Sequence, residues 1–404
     1  MRRVVVTGIG AVTPLGNTFN ASWKNLVDGV SGISMIDRFN ISDVRYKFAG
    51  QIRDLKFDEH LTQKEQKRYD RFVQYAYIAA RQAIEDARLI DVGYKDDIGV
   101  VIGSSRAGIS SLDRSIREQT GKGGKRISSY LMPSTTTSIA VSFIGQKYGF
   151  RGECEGVSSA CASGLVAIGN ALRLVRHGIA NKVIAGGAEA PICRVCIEGY
   201  GNSGALSKRD GKEASSPFDV HRDGFVLSEG ACIMILEEYG SAQKRGAKIY
   251  GEILGYAAGM DAYHQTKPSA EGEEKTIKKA LKDSSIKKDS IGFVSAHAPS
   301  TELGDSVEAD ALKRVFGDSN SVLPVSAFKS STGHMLAASG AFESAATLRV
   351  LQEGILPPTI NLKEKDPACD LNVVTSEREI DAEYATVNSF GFGGVNAVLV
   401  LKKV

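Results

Sequence analysis

Short runs of β-branched and small apolar residues recur along this chain, separated by stretches with helical periodicity. They fall at residues 3–9, 98–103, 182–189, 231–236, 249–254, 291–296 and 322–327. A continuous apolar run of this length fits a strand buried on both faces. Strands that alternate with amphipathic helices predict an α/β fold with central sheets. The 404 residues exceed what one core usually holds. A polar helix expected over 238–247 is followed by a second series of strands and helices with the same coarse rhythm. The chain therefore reads as two halves, 1–247 and 248–404.

Composition narrows the function classes. Apolar residues make up 42% and charged residues 24%, as in ordinary soluble globular proteins. A net charge of +3 does not point to nucleic acid. No apolar run is long enough for a membrane span. The start, Met1-Arg2-Arg3-Val4-Val5-Val6, resembles a signal peptide only superficially, because Gly8, Gly10 and Pro14 break the run; it reads as an opening strand. Six cysteines in this length do not suggest a disulfide framework, and a reducing setting is expected, cytoplasmic or, after processing, organellar. Cys193-Arg194-Val195-Cys196 is a lone CxxC with no second pair to complete a zinc site, so no metal is expected.

Cys161 is the first candidate for chemistry. A short strand is predicted over 151–157 and a helix over 165–175, which puts Cys161 where one turns into the other. Helix N-termini carry unpaired N–H groups and a positive dipole end, which stabilise a thiolate. Ser159, Ala160, Ala162, Ser163 and Gly164 are small enough to let a carbonyl approach. A structural cysteine packed in a tight turn has the same sequence appearance.

Two of the six histidines, His297 and His334, directly follow predicted strands, where α/β folds place their sites. Lys329 stands just before His334. Imidazoles can donate to an enolate or move protons near neutral pH, and a cysteine can carry an acyl group. Phe390-Gly391-Phe392-Gly393-Gly394 can aim backbone N–H groups at an oxyanion. Four unrelated structural residues remain the alternative reading of this set.

These motifs together resemble the β-ketoacyl-acyl carrier protein synthases of the condensing-enzyme (thiolase-fold) superfamily, and are most similar to the synthase II type. The resemblance runs along essentially the whole chain. It rests on Val4-Val5-Val6-Thr7-Gly8, Ser159-Ala160-Cys161, Gly186-Gly187-Ala188-Glu189, Arg222-Asp223-Gly224-Phe225, His297, Lys329 with Thr332-Gly333-His334, and Asn388-Ser389-Phe390-Gly391-Phe392-Gly393-Gly394. It implies a thiolase-like α/β fold whose two similar halves form a layered αβαβα core. The first half would carry the nucleophilic Cys161, the second the His, Lys and His residues and the glycine-rich gate loop.

The resemblance further implies a two-stage reaction. Cys161 takes an acyl group from acyl carrier protein. His297 and His334 then assist decarboxylation of malonyl-carrier protein, and the enolate attacks the acyl-enzyme. The product is a 3-oxoacyl-carrier protein two carbons longer, with CO₂ released. N–H groups of Cys161 and Phe392 would form the oxyanion hole, with Phe390 and Phe392 at the gate. Lys329 is expected to pair with Glu308 and order the site. No cofactor is implied, since the phosphopantetheine arm belongs to the carrier. Lys64, Lys67 and Arg68 resemble part of a patch that docks the acidic carrier, although an exposed helix carries such charges ordinarily. A homodimer is also implied.

Two departures stand out. The family usually has H-G-T-S-T-P after the first histidine, whereas this chain has His297-Ala298-Pro299-Ser300-Thr301-Glu302. Pro299 replaces a threonine that contacts the pantetheine arm, leaving Thr301 and Thr266 for that contact. Arg106 stands where the synthase II type has an apolar residue lining the acyl pocket, which implies either an outward-turned guanidinium or an altered acyl preference. Specialised polyketide or aryl-polyene ketosynthases share the same site. A thiolase fits less well, lacking here a second cysteine near the glycine run. A non-catalytic carrier-binding partner subunit would typically lack Cys161.

Overall fold

The computed structural model describes all residues except 91–94, 122–123, 125 and 318–322. Val322, the first residue of the expected strand 322–327, lies outside the described residues.

Among the described residues eleven strands form the main sheet: β1 (Val4–Val12), β2 (Ile98–Gly103), β3 (Cys154–Val157), β4 (Lys182–Glu189), β5 (Gly230–Glu238), β6 (Gly251–Met260), β7 (Ile291–Ser295), β8 (Pro324–Ser326), β9 (Asn372–Val373), β10 (Tyr384–Gly391) and β11 (Val395–Lys402). Their order is β9-β8-β7-β10-β11-β6-β1-β5-β4-β2-β3. The first half runs β3-β2-β4-β5-β1 and the second β8-β7-β10-β11-β6. With the two-residue edge strand β9 set aside, both orders are third, second, fourth, fifth, first counted along each half. The directions match too: β3, β2 and β4 are parallel, as are β8, β7 and β10, and the remaining pairs are antiparallel. The halves repeat one topology without obvious sequence identity. Burial sets the strand pattern, and many apolar residues satisfy it equally well. The half-sheets join where β1 pairs with β6 at Val5–Glu252 and Val6–Gly251.

Helices supply the other layers: α1 (Arg71–Asp86), α2 (Ser163–Arg176), α3 (Ala270–Ser284), α4 (Glu302–Phe316) and α5 (Ala337–Glu353). α2 and α5 pack on each other and on strands of both half-sheets, forming the middle layer. α1 covers the outer face of the first half-sheet, and α3, backed by α4, covers that of the second. The result is five layers, αβαβα. Small residues let the middle layer close up. A Cβ built on Gly164, in the first turn of α2, would lie 2.1 Å from the Ala337 carbonyl oxygen at the start of α5. The two central helices thus begin at the same place.

One local expectation fails. Residues 62–87 read as a single helix, but the structure has Gln63–Arg68, a break, and α1. Tyr69 and Asp70 are extended, and Asp70 caps α1 by accepting from Phe72 N–H. The buried Asp70 carboxylate also accepts from Ser110 Oγ at 2.9 Å and Ser111 N–H at 2.8 Å. Those contacts come from the first turn of the helix Ile109–Thr120, distant in sequence, so local periodicity does not register them.

Candidate active site

Cys161 lies two residues before the first residue of α2, after the parallel strand β3. The turn is tight and non-glycine: Ala160 has φ +48°. Local hydrogen bonds hold it there. Ser163 Oγ accepts from Ser159 N–H at 2.8 Å and donates to the Ala160 carbonyl at 2.6 Å, and Ala162 N–H donates to Ser159 O at 3.1 Å. A backbone in this region costs about 1–3 kcal/mol and persists because its surroundings enforce it.

The thiol corrects one expectation. Cys161 is 9% exposed, and burial pushes its pKa up to about 11. The Phe392 N–H on the sulfur and the charge of Lys329 pull the other way without overcoming burial. At neutral pH the resting group is a thiol, because α2 contributes only partial charge in an apolar turn.

His297 follows β7, and its backbone N–H donates to Glu308 Oε1 at 2.9 Å. His334 follows a single helical turn, Lys329–Thr332, and is fastened to the chain before β5: its N–H donates to Val226 O at 2.8 Å and its carbonyl accepts from Ser228 N–H at 3.0 Å. The two rings meet edge to face with centroids 5.3 Å apart. Phe225 packs on the edge of His334 and Phe390 against His297. Burial holds both imidazoles well below the usual histidine range, and the charge of Lys329 adds to this. Both rings are therefore neutral at pH 7 and can each donate one N–H. His334 Nδ1 lies 3.3 Å from Ser339 Oγ, while the buried His297 Nδ1 has no protein partner among the described residues.

Lys329 does not pair with Glu308 as expected. Its Nζ lies 2.6 Å from Glu343 Oε1 on α5, with both side chains 1% exposed. Glu308, on α4, instead accepts from the N–H groups of His297 and Ala298, at 2.9 and 2.7 Å, and from Asn388 Nδ2 at 3.0 Å. It clamps the His297 loop to β10. That loop is strained, with Ala298 at φ +24° and Ser300 at φ +77°. Arg222 braces its far end by donating to the carbonyls of Thr301 and Glu302.

The glycine-rich run forms the hairpin between β10 and β11, with Gly393 at φ +84° and Gly394 at φ +68°. Gly391 runs against the Cys161 turn: a Cβ there would sit 3.2 Å from Cys161 N. Ser389 Oγ donates to the Cys161 carbonyl at 3.2 Å. A cleft of about 280 Å³ reaches this point, and its walls include Cys161, His297, His334, Phe390, Phe392 and Thr266. Pro299 and Thr301 also line it. Thr301 Oγ1 accepts from Gly304 N–H at 3.1 Å, capping α4, which leaves its O–H free to donate.

Arg106 lines a second pocket of about 350 Å³ with Ile109, Cys196 and Tyr200. Tyr200 and Phe392 border both pockets. The Arg106 side chain is paired: Nε donates to Tyr200 Oη at 2.7 Å. Lys64, Lys67 and Arg68 lie apart from the cleft lining, exposed on the helix Gln63–Arg68. The one carboxylate of that helix, Glu65, is engaged by Thr62 and by Lys147 at 2.6 Å.

Glu343 and Tyr200 had no role in the sequence reading, and Asn388 entered it only as the first residue of the glycine-run motif. Glu343 had a visible signal, as the one acidic residue in the apolar stretch 337–352. An acid on such a helix needs a buried partner.

A five-layered αβαβα core with a cysteine at the head of one central helix, facing two neutral imidazoles, defines a thiolase-fold condensing enzyme. Comparison with known proteins narrows this. Residues 1–242 match the model for the beta-ketoacyl synthase N-terminal domain and residues 250–363 that for the C-terminal domain. The chain is 43% identical over 408 residues to a 3-oxoacyl-[acyl-carrier-protein] synthase 2 of Synechocystis sp., covering 100% of this chain and 98% of that one. It is 40% identical, with the same coverage, to the protein of that name from Staphylococcus aureus. A type II polyketide ketosynthase, solved in complex with its acyl-carrier protein and bound to the hexaketide, superposes with a TM-score of 0.91 at 34% identity, covering 100% of this chain and 99% of that one. The chain belongs to the beta-ketoacyl synthase family and is an acyltransferase-type condensing enzyme. No helix among the described residues is long and apolar enough to cross a membrane.

Proposed function

We propose that this protein is a 3-oxoacyl-[acyl-carrier-protein] synthase that elongates fatty acyl chains by decarboxylative Claisen condensation. The observation that carries the reading is one cleft lined by Cys161, His297 and His334, with the Phe392 N–H on the sulfur. Cys161 loses its proton to a neutral imidazole as Sγ attacks the acyl thioester. The tetrahedral oxyanion is held by the N–H groups of Cys161 and Phe392. Collapse expels the carrier thiolate, which takes up a proton.

Malonyl-carrier then enters. Its carboxylate C–C bond breaks to give CO₂, and the electron pair moves into an enolate whose oxygen receives the imidazole N–H groups. Neutral rings suit this task, because they donate without a net charge that would hold the malonyl carboxylate in its ground state. The enolate carbon attacks the acyl-Cys161 carbonyl. The new C–C bond forms, the Cys161 thiolate leaves and is reprotonated. Lys329, paired to Glu343, biases both rings toward neutrality. Glu308 and Asn388 position the His297 loop. Thr266 and Thr301 are offered for the pantetheine arm.

The partner inferred is acyl carrier protein, docking on Lys64, Lys67 and Arg68. The solved ketosynthase–carrier complex supports the class of partner. A homodimer fits the exposed outer strand β3, whose free edge can pair with a second copy. Free cysteines fit a cytoplasmic setting. The halves 1–247 and 248–404 are offered as the two functional units, the first bringing the nucleophile and the second the imidazoles.

The test is mass spectrometry of products from malonyl-carrier and a ladder of acyl-carriers. A 3-oxo product two carbons longer, dependent on Cys161, is expected. Full-speed elongation by Cys161→Ser overturns the reading. A specialised polyketide synthase is the second reading, favoured by Arg106 in the pocket beside Phe392. It would give poly-3-oxo chains after repeated condensation on one carrier.

A further inference from the structure

Cys193 and Cys196 take no part in the condensation. Cys193 caps the helix Arg194–Asn202 with extended backbone, and Cys196 lies in its first turn. The Ile197 N–H donates to the Cys193 carbonyl at 3.1 Å, which locks the turn. Residues three apart at a helix start lie on one side, and each thiol shifts the titration of the other, so the two sulfurs are neighbours. Among the described residues no group of three or more His, Cys, Asp and Glu is placed to hold a metal ion, so the pair stands as a dithiol.

The two thiols face different spaces. Cys193 forms part of the wall of a cleft of about 320 Å³ that is also lined by Arg38, Arg71, Arg114 and Arg117. Glu229 also lines this cleft, and the neighbouring Cys196 favours the Cys193 thiolate while burial, Asp113 and Asp70 push the Cys193 thiol up. Cys196 instead borders the pocket that holds Arg106, Tyr200 and Phe392. Cys193 thus meets the polar cleft, and Cys196 neighbours it at the start of the same helix.

We propose that Cys193 and Cys196 form a reversible disulfide, with Cys193 attacking a small peroxide that enters through the arginine-lined cleft. The Cys193 thiolate attacks one peroxide oxygen, the O–O bond breaks, and hydroxide leaves; the sulfur is oxidised to the sulfenic acid. The Cys196 thiol then attacks that sulfur, the S–O bond breaks, and water leaves as the S–S bond forms. With the proton released from Cys193, two thiols and one hydrogen peroxide give one disulfide and two waters. A dithiol reductant reverses the change. Tyr200 lies four residues beyond Cys196 on the same helix, with its ring 6.5 Å from that of Phe392. The bond therefore braces the helix that forms the wall beside the gate.

Trypsin offers a direct test, because it cuts after Arg194, between the two cysteines. The reduced full-length protein is treated with a few-fold excess of hydrogen peroxide, alkylated and digested without reductant. Peptides 183–194 and 195–208 are expected as a linked pair that dithiothreitol separates. In Cys196→Ser, dimedone is expected to trap the sulfenic acid on Cys193; in Cys193→Ser, Cys196 is expected to stay reduced at the same dose. Recovery of both wild-type peptides singly alkylated, at doses that already oxidise Cys154 or Cys161, overturns the proposal. So does the absence of a dimedone adduct on Cys193 in folded Cys196→Ser.

Discussion

Lys329 Nζ and Glu343 Oε1 lie 2.6 Å apart in the middle of the molecule, between the turn that delivers His334 and central helix α5. Removing one member of such a pair strands the other in low dielectric. Glu343→Leu is expected to cost about 3–5 kcal/mol, because the Lys329 side chain is then left buried without its partner. Lys329→Met should cost less, since burial already pushes the Glu343 carboxyl up and protonation can neutralise it. The double variant should recover most of the loss. Urea midpoints of the three proteins check the order.

The same ion pair carries a pH prediction. The charge of Lys329 lowers the pKa of both His297 and His334. With their folded pKa below the unfolded value of about 6.5, the rings bind fewer protons than in the unfolded chain. Stability through these groups is fully present above that value and falls as pH drops toward the folded pKa. In Lys329→Met the folded pKa values rise, so the acid limb of malonyl-carrier decarboxylation should move to higher pH. An unchanged limb would show that the lysine charge does not reach the rings.

Cys161 alkylation reads the buried thiol directly. With its pKa pushed up to about 11, the thiolate fraction should grow about tenfold per pH unit through neutral and mildly alkaline pH. Iodoacetamide rates, followed by mass spectrometry of the Cys161 peptide, should show no plateau below pH 9. A plateau near neutrality would mean that the helix end stabilises the thiolate more than burial opposes it.

Glu308→Gln exchanges one acceptor oxygen for a donor facing the N–H groups of His297 and Ala298 or the Asn388 amide. A buried donor left unsatisfied costs about 1–3 kcal/mol. The loop bearing His297 should loosen, lowering kcat for condensation while Cys161 alkylation stays near wild type. Equal losses in both assays would point to general unfolding.

Arg106 is the substitution of greatest interest for substrate choice. Its Nε–Tyr200 Oη bond ties the wall of the second pocket at 2.7 Å. Arg106→Ile should raise turnover of long unsubstituted acyl chains relative to short or polar-ended ones. Identical chain-length profiles for the two proteins would remove any role in selectivity.

How much of this was legible beforehand follows from the range of the interactions. Apolar runs and helical periodicity are local, so the α/β alternation, the strand end bearing His297 and the Cys161 strand–helix junction could be read directly, whereas the helical turn Lys329–Thr332 that separates His334 from its strand could not. The motif set from Ser159-Ala160-Cys161 to the glycine hairpin pointed to the family for the same reason: each piece is contiguous. The partner of Lys329 could not be read this way. Glu308 and Glu343 both lie on helices that point carboxylates inward, and only packing decides that α5 passes closer to Nζ. The protonation state of Cys161 was likewise decided by burial, which depends on how β10, α2 and α5 close around the sulfur. The break at Tyr69 and Asp70 needed the helix start at Ser110 and Ser111 to be in place. Sequence determined the elements and the inventory of reactive groups, because those depend on neighbours along the chain. Tertiary structure decided which charge meets which and which groups lose their water, because those depend on residues far apart in sequence.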